Sequence, residues 1–178
     1  MDSRIRRRPH RFTEEVEIDA AWRPDGGPRV HVALVEPEIP QNTGTIVRLC
    51  ACAACPLHLV EPLGFDIDER AVRRAGLDYW EHAHVSVHES LEKFHETHAG
   101  ARMWYTTKKA DRAYTEVDYA DGDILVFGRE TSGLPDELLE QHADRAIGIP
   151  MFGPVRSINL ANAVSIVLYE ALRQTRGF

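Results

Sequence analysis

Arg48 is the oddest residue of this chain: it stands inside the run I-V-R-L-C-A-C-A-A, with apolar neighbours on both sides. A guanidinium there either snorkels to water along an apolar surface or grips a phosphate or carboxylate with its planar fork. Tyr169 poses the same choice late in N-L-A-N-A-V-S-I-V-L-Y-E-A, as a packed ring with a satisfied hydroxyl or as a site group. Small hydrogen-bonding residues, Ser157, Asn159, Asn162 and Ser165, are set into that same apolar stretch. A helix that is apolar nearly all round is buried, so those groups need partners in backbone, a second chain or a ligand. They crowd the first turns, where unpaired N–H groups also point outward. The plainer reading is a core helix with Ser157 as its N-cap.

Three loops carry Gly and Pro, which fix a tight path and let backbone approach a ligand: E-P-E-I-P-Q-N-T-G, F-G-R-E-T-S-G-L-P and P-M-F-G-P-V-R-S. None contains the G-x-G-x-x-G of dinucleotide sites or the G-x-x-x-x-G-K-[ST] of a P-loop. The hydrolase elbow G-x-S-x-G is missing as well. Cys50, Cys52 and Cys55, spaced C-x-C-x-x-C with His58 nearby, invite a metal. A structural zinc site needs a second ligand pair, however, and the chain has no other cysteine. The run around them reads as a helix in which cysteine packs as a small hydrophobe. No metal is expected.

The elements that must position these residues alternate along the chain. Strands are expected at Val30–Val35, Pro56–Val60, His84–His88, Arg102–Thr107, Asp123–Gly128 and Arg145–Pro150. Helices are expected from about Thr43 to Ala54, capped by Asn42 or Thr43, then over Asp66–Gly76, Ser90–His98, Pro135–His142 and Ser157–Gln174. Apolar strands alternating with helices predict an α/β fold with a mainly parallel sheet flanked by helices. Ligands in such sheets bind beyond the carboxyl ends of the strands, where the three loops fall.

The 178 residues suit one domain at 30–178, preceded by an extension at 1–29 with seven Arg, five of them within the first eleven positions. The net charge of −7 argues mildly against nucleic acid as a whole. Local groups such as Arg70, Arg73 and Arg74, or Lys108, Lys109 and Arg112, can still contact phosphate, because screening limits each charge to about 10 Å. No apolar run approaches the roughly 20 residues of a membrane helix, and the basic N-terminus lacks the apolar core of a secretory signal. A cytoplasmic location is the default expectation.

Four stretches, E-P-E-I-P-Q-N-T-G-T-I-V-R-L-C, R-R-A-G-L-D-Y, V-F-G-R-E-T-S-G-L-P and I-P-M-F-G-P-V-R-S-I-N-L-A-N-A-V-S-I-V-L-Y-E-A, occur in order and at fitting distances. Together they resemble the SPOUT superfamily of knotted RNA methyltransferases, and most closely those that methylate a cytidine or uridine 2′-hydroxyl at the tRNA wobble position. The resemblance covers Val30 to about Arg173.

It implies a C-terminal trefoil knot, S-adenosylmethionine as cofactor, tRNA as substrate and a homodimer. Cofactor-binding residues would be Tyr105, Gly128, Ile149, Ser157 and Ile158, with backbone groups of Gly128, Ile149 and Ile158 holding adenine and ribose. Catalytic residues would be Arg48, Asn42, Glu130, Arg156 and Tyr169. An Arg at the Arg48 position has been assigned to the 2′-hydroxyl proton, yet Arg stays protonated in proteins. Clamping the adjacent phosphate and stabilising the developing oxyanion suits it better, with a phosphate oxygen or water taking the proton. The segment M-F-G-P-V is more apolar than the family pattern, and the Arg-rich extension lies outside it. The alternatives are the same chemistry on another tRNA position or ribosomal RNA, an RNA-binding knot protein without catalysis, and a metal-binding redox protein built on the cysteines.

Overall fold

The computed structural model describes residues 30–66 and 83–177. Its strands are β1 (His31–Val35), β2 (Leu57–Val60), β3 (Val85–His88), β4 (Met103–Thr106), β5 (Ile124–Phe127) and β6 (Ala146–Ile147). They pair in the order β3-β2-β1-β5-β4-β6, and every neighbouring pair is parallel. Side chains alternate across a strand, so each strand feeds two cores. Val32, Leu34, Leu57, Leu59, Trp104, Leu125 and Phe127 pack on one face with α1 (Pro40–Ala53) and α4 (Leu160–Arg176). Ala33, Val35, Met103, Tyr105, Ile124 and Val126 pack on the other with α2 (Leu91–Thr97) and α3 (Asp136–Gln141). Burial on both faces is why the strands read as unbroken apolar runs.

Three boundaries differ from expectation, each for a local reason. α1 begins at Pro40, whose fixed φ suits a first turn, and not near Thr43. Asn42 and Thr43 are therefore buried inside the helix, and its N-cap, Ile39, makes no side-chain cap. α4 is capped by Asn159, whose Oδ1 accepts from Ala161 N at 3.0 Å and Asn162 N at 3.4 Å, and not by the exposed Ser157. β6 is only two residues long. The helix expected over Asp66–Gly76 and the extension at 1–29 lie outside the described residues, apart from Asp66 itself.

The three cysteines form no disulfide; Cys50 and Cys55 lie in the first core, and Cys52 is exposed. Burial pushes the Cys50 thiol up, which keeps it protonated and inert. Among the described residues no helix is long and apolar enough to cross a membrane. At the amino-terminal end of the sheet, Asp123 is 2% exposed yet fully paired. It accepts from Arg102 Nε and Nη2, both at 2.7 Å, and from Trp104 Nε1 at 3.0 Å.

Histidines occupy part of the second core. Burial, then the neighbouring His98, lowers the His31 imidazole to about 4, and the same two causes lower His58 further. Above the ordinary value of 6.5 neither the folded nor the unfolded chain protonates these rings. Below it the unfolded chain takes up protons that the folded chain refuses, so stability falls as pH falls from 6.5 toward 4. We expect denaturant unfolding to lose about 1–2 kcal/mol between pH 6 and 5 from this pair. His31→Gln should reduce that slope, and an unchanged slope would show that the rings are protonated in the folded state.

Candidate functional site

The order of strands reverses between β1 and β5: the chain leaves β1 toward β2 on one side, while β5 and β4 lie on the other. Loops from the carboxyl ends of β1 and β5 meet at this switch point, the usual ligand position in such sheets. The start of α4 joins them. What holds the three together is a chain of side-chain hydrogen bonds centred on Asn42.

α1 starts with exposed backbone donors and no cap of its own. Glu130, from the loop after β5, supplies what is missing. Its carboxylate accepts from Glu38 N at 2.8 Å, from Ile39 N at 3.2 Å and from Asn42 Nδ2 at 3.0 Å. A negative group at a helix N-terminus is also favoured by the helix dipole. Asn42 Oδ1 in turn accepts from Asn159 Nδ2 at 3.0 Å, and Asn159 is the cap of α4. One line of bonds thus runs from the β5 loop through α1 to α4. The exchange between the first two loops is reciprocal, because the Glu38 carboxylate accepts from Thr131 N at 3.1 Å and from Thr131 Oγ1 at 2.8 Å.

Backbone geometry tightens the same region. Glu36 takes a left-handed conformation, φ 53°, which costs a non-glycine residue energy, and its carboxylate pairs with Arg129. Gly128 is obligatory: a Cβ there would lie 2.2 Å from the backbone of Gly133 and Leu134. The loop folds back on it through Arg129 N to Gly133 O at 3.2 Å and Gly133 N to Arg129 O at 2.9 Å. Gly64 is equally constrained, since a Cβ would meet Glu38 Cα at 2.7 Å.

Of the expected catalytic residues, Asn42 and Glu130 are joined directly, and both are tied up in this framework. Arg48 and Tyr169 stand elsewhere, exposed on α1 and α4, which pack against each other. At 1.5 Å per residue they lie roughly 12–14 Å along their helices from the N-termini at the loops. Arg156 is exposed in the segment before α4. Of the expected cofactor residues, Gly128 is buried, Ile149 and Ile158 are half-buried, and Ser157 is exposed. Tyr105 is 2% exposed with its ring in the second core, stacked on His142 at 4.7 Å. Its hydroxyl is 3.3 Å from His95 Nε2, and burial raises it above the ordinary phenol value.

Glu36, Glu38, Arg129 and Thr131 were not singled out from the sequence, and Asn159 stood out only as one of the small polar residues of the closing helix. For Asn159 a signal existed, since N-L-A-N opening an apolar run is a capping pattern. For Glu38 and Thr131, 93 positions apart, there was none.

The model of the SpoU rRNA methylase family matches residues 29–169. The tRNA (cytidine(34)-2'-O)-methyltransferase of Escherichia coli (strain K12) is 48% identical over 146 residues, covering 82% of this chain and 93% of that protein. The enzyme of the same name from Saccharophagus degradans is 48% identical over 145 residues, covering 81% and 94%. A solved structure described as giving insight into the 2-OH methylation of C/U34 on tRNA superposes with a TM-score of 0.80 at 43% identity, covering 85% of this chain and 99% of that one. The SpoU methyltransferase AviRb from Streptomyces viridochromogenes, in complex with AdoMet, gives a TM-score of 0.69 at 25% identity, covering 83% and 60%. The chain belongs to the SpoU rRNA methylase family.

Proposed function

We propose that this protein transfers a methyl group from S-adenosylmethionine to the ribose 2′-hydroxyl of cytidine or uridine at the tRNA wobble position, as a cytoplasmic homodimer. The observation that carries the reading is 48% identity to the Escherichia coli tRNA (cytidine(34)-2'-O)-methyltransferase along 93% of that protein's length.

The loops suit the cofactor. Half-buried Ile149 and Ile158 offer apolar walls, and Gly128 brings backbone to the switch point, so adenine can be read by main-chain groups. Tyr105 contributes through its strand position, since its ring is committed to the second core. Ser157 and Arg156, both exposed, stand where an RNA chain can reach them. A trefoil knot is favoured by the path of the chain: after β6 at the far edge of the sheet, the segment to Asn159 returns to place α4 against α1 beneath the centre. The dimer is favoured by Phe152, Val155 and Tyr169, which are 98%, 64% and 45% exposed apolar groups. The distance of Arg48 and Tyr169 from their own loops adds to this, because a second copy can bring them to the cofactor.

S-adenosylmethionine supplies an electrophilic methyl carbon on a sulfonium. The protein aligns the 2′-oxygen behind it, excludes water and assists loss of one proton as the C–O bond forms and the C–S bond breaks. In our reading Arg48 clamps the neighbouring phosphate and offsets charge growing on the oxygen, while a phosphate oxygen or water takes the proton. Asn42 and Glu130 act as positioning residues whose bonds keep the loops in register.

Incubation with labelled S-adenosylmethionine and unmodified tRNA should yield labelled 2′-O-methylcytidine or 2′-O-methyluridine at the wobble position. Label at another position or only in ribosomal RNA would overturn the substrate assignment. Arg48→Lys, which keeps charge but loses the fork, should lower kcat about 100-fold or more while cofactor binding persists. Near-normal turnover in that variant would remove Arg48 from the clamp. Glu130→Gln should cost about 1–3 kcal/mol of folding stability by urea unfolding, since it places an amide donor among donors. An unchanged unfolding midpoint would mean that the carboxylate is reserved for substrate.

A further inference from the structure

The second core holds a cluster of imidazoles that methyl transfer does not use. His31 opens β1, His58 sits in β2, His88 ends β3, and His98 caps the C-terminus of α2. Ring nitrogens of His31, His58 and His98 lie within 4.8 Å of one another. A bound zinc with nitrogen ligands at about 2.0–2.1 Å in tetrahedral geometry needs nitrogens roughly 3.4 Å apart, so small side-chain shifts would close the set.

The tautomer of His98 is set for coordination. His98 Nδ1 is 3.0 Å from the Phe94 carbonyl, which can only accept, so the proton sits on Nδ1 and Nε2 keeps its lone pair. His58 Nδ1 is 3.1 Å from His88 Nε2, and His58 Nε2 meets His31 Nδ1 at 2.9 Å, so the proton between those two nitrogens moves to the far nitrogen of His31 when an ion binds. A backbone carbonyl of the kind that His98 meets orients metal-bound histidines generally, and His88 takes the corresponding place beside His58. The three rings come from two strands and a helix end, elements the fold already holds rigidly. The groups that perturb His31 and His58 are other histidines, including exposed His84, with no carboxylate among them.

The geometry points to a binding site for a divalent zinc-class cation built from His31 Nδ1, His58 Nε2 and His98 Nε2, with His88 as the outer partner of His58. An all-imidazole set selects zinc, copper, nickel or cobalt over magnesium or calcium. Three protein ligands leave a fourth position for water, and half-buried His31 and His98 give the ion a way in. The cysteines take no part, since Cys50 and Cys55 lie in the core on the opposite face of the sheet. The ion staples β1, β2 and α2 at the amino-terminal half of the sheet, away from the loops, and the proposal is independent of the methyl-transfer reading.

The test uses the full chain without an affinity tag, stripped with chelator and titrated with Zn2+ by calorimetry and with Co2+ by absorption. One equivalent should bind, raise the thermal midpoint, and give a Co2+ spectrum of tetrahedral nitrogen ligation without a thiolate charge-transfer band. His58 is too deeply buried to serve as the variant, so His31→Gln and His98→Gln are used, each checked for wild-type circular dichroism. Each should weaken binding at least tenfold, and His88→Phe should weaken it about 10–100-fold through the lost outer partner. Absence of saturable one-to-one binding, a thiolate band, or unchanged affinity in the His31 and His98 variants would overturn the site.

Discussion

The Glu130 carboxylate meeting the uncapped start of α1 is the interaction on which the rest of this structure depends. A helix that opens Glu-Ile-Pro has no side chain of its own to satisfy its first donors, so a group must come from elsewhere. It comes from a loop 91 positions away and brings the carboxyl end of β5 onto that of β1. Charge-assisted hydrogen bonds contribute about 1.5–3 kcal/mol each, enough to hold the two loops together. Asn42 extends the bond to Asn159, so the cap of one helix is chained to the cap of the other.

The two ends of the sheet divide the work. At the carboxyl ends, polar side chains are spent on backbone donors, as Glu130 is on Glu38 and Ile39 and Glu38 on Thr131. At the amino-terminal end Asp123 is buried and paired with Arg102 and Trp104, while a row of imidazoles crosses the sheet from the start of β1 to the end of β3.

The strands, their parallel sense and the loops at the ligand end were legible because each depends on local pattern: β-branched apolar runs, Gly and Pro at turns, and four family stretches. What stayed hidden depends on contacts between distant positions. Nothing local in T-S-G told that Thr131 would answer Glu38, or that Asn42 would be buried rather than capping. Ser157 and Asn159 are equally good caps by residue type, and only the start of α4 at Leu160 decides for Asn159. Tyr105 sits on the sheet face that its place in the alternation dictates, a consequence visible only once Met103 and Tyr105 are assigned to the second core. The histidines are scattered over 68 positions, and only strand order brings them together.

The central claim is that Glu130, Asn42 and Asn159 act as one unit that shapes the cofactor loops. A double-mutant cycle of Glu130→Ala and Asn159→Ala, read as S-adenosylmethionine affinity by calorimetry, tests it most directly, because each residue bonds Asn42 from a different side. The account predicts that the double variant loses little more affinity than the worse single variant, a coupling of about 0.5–3 kcal/mol. Losses that simply add would contradict it and leave the two contacts as separate, local supports.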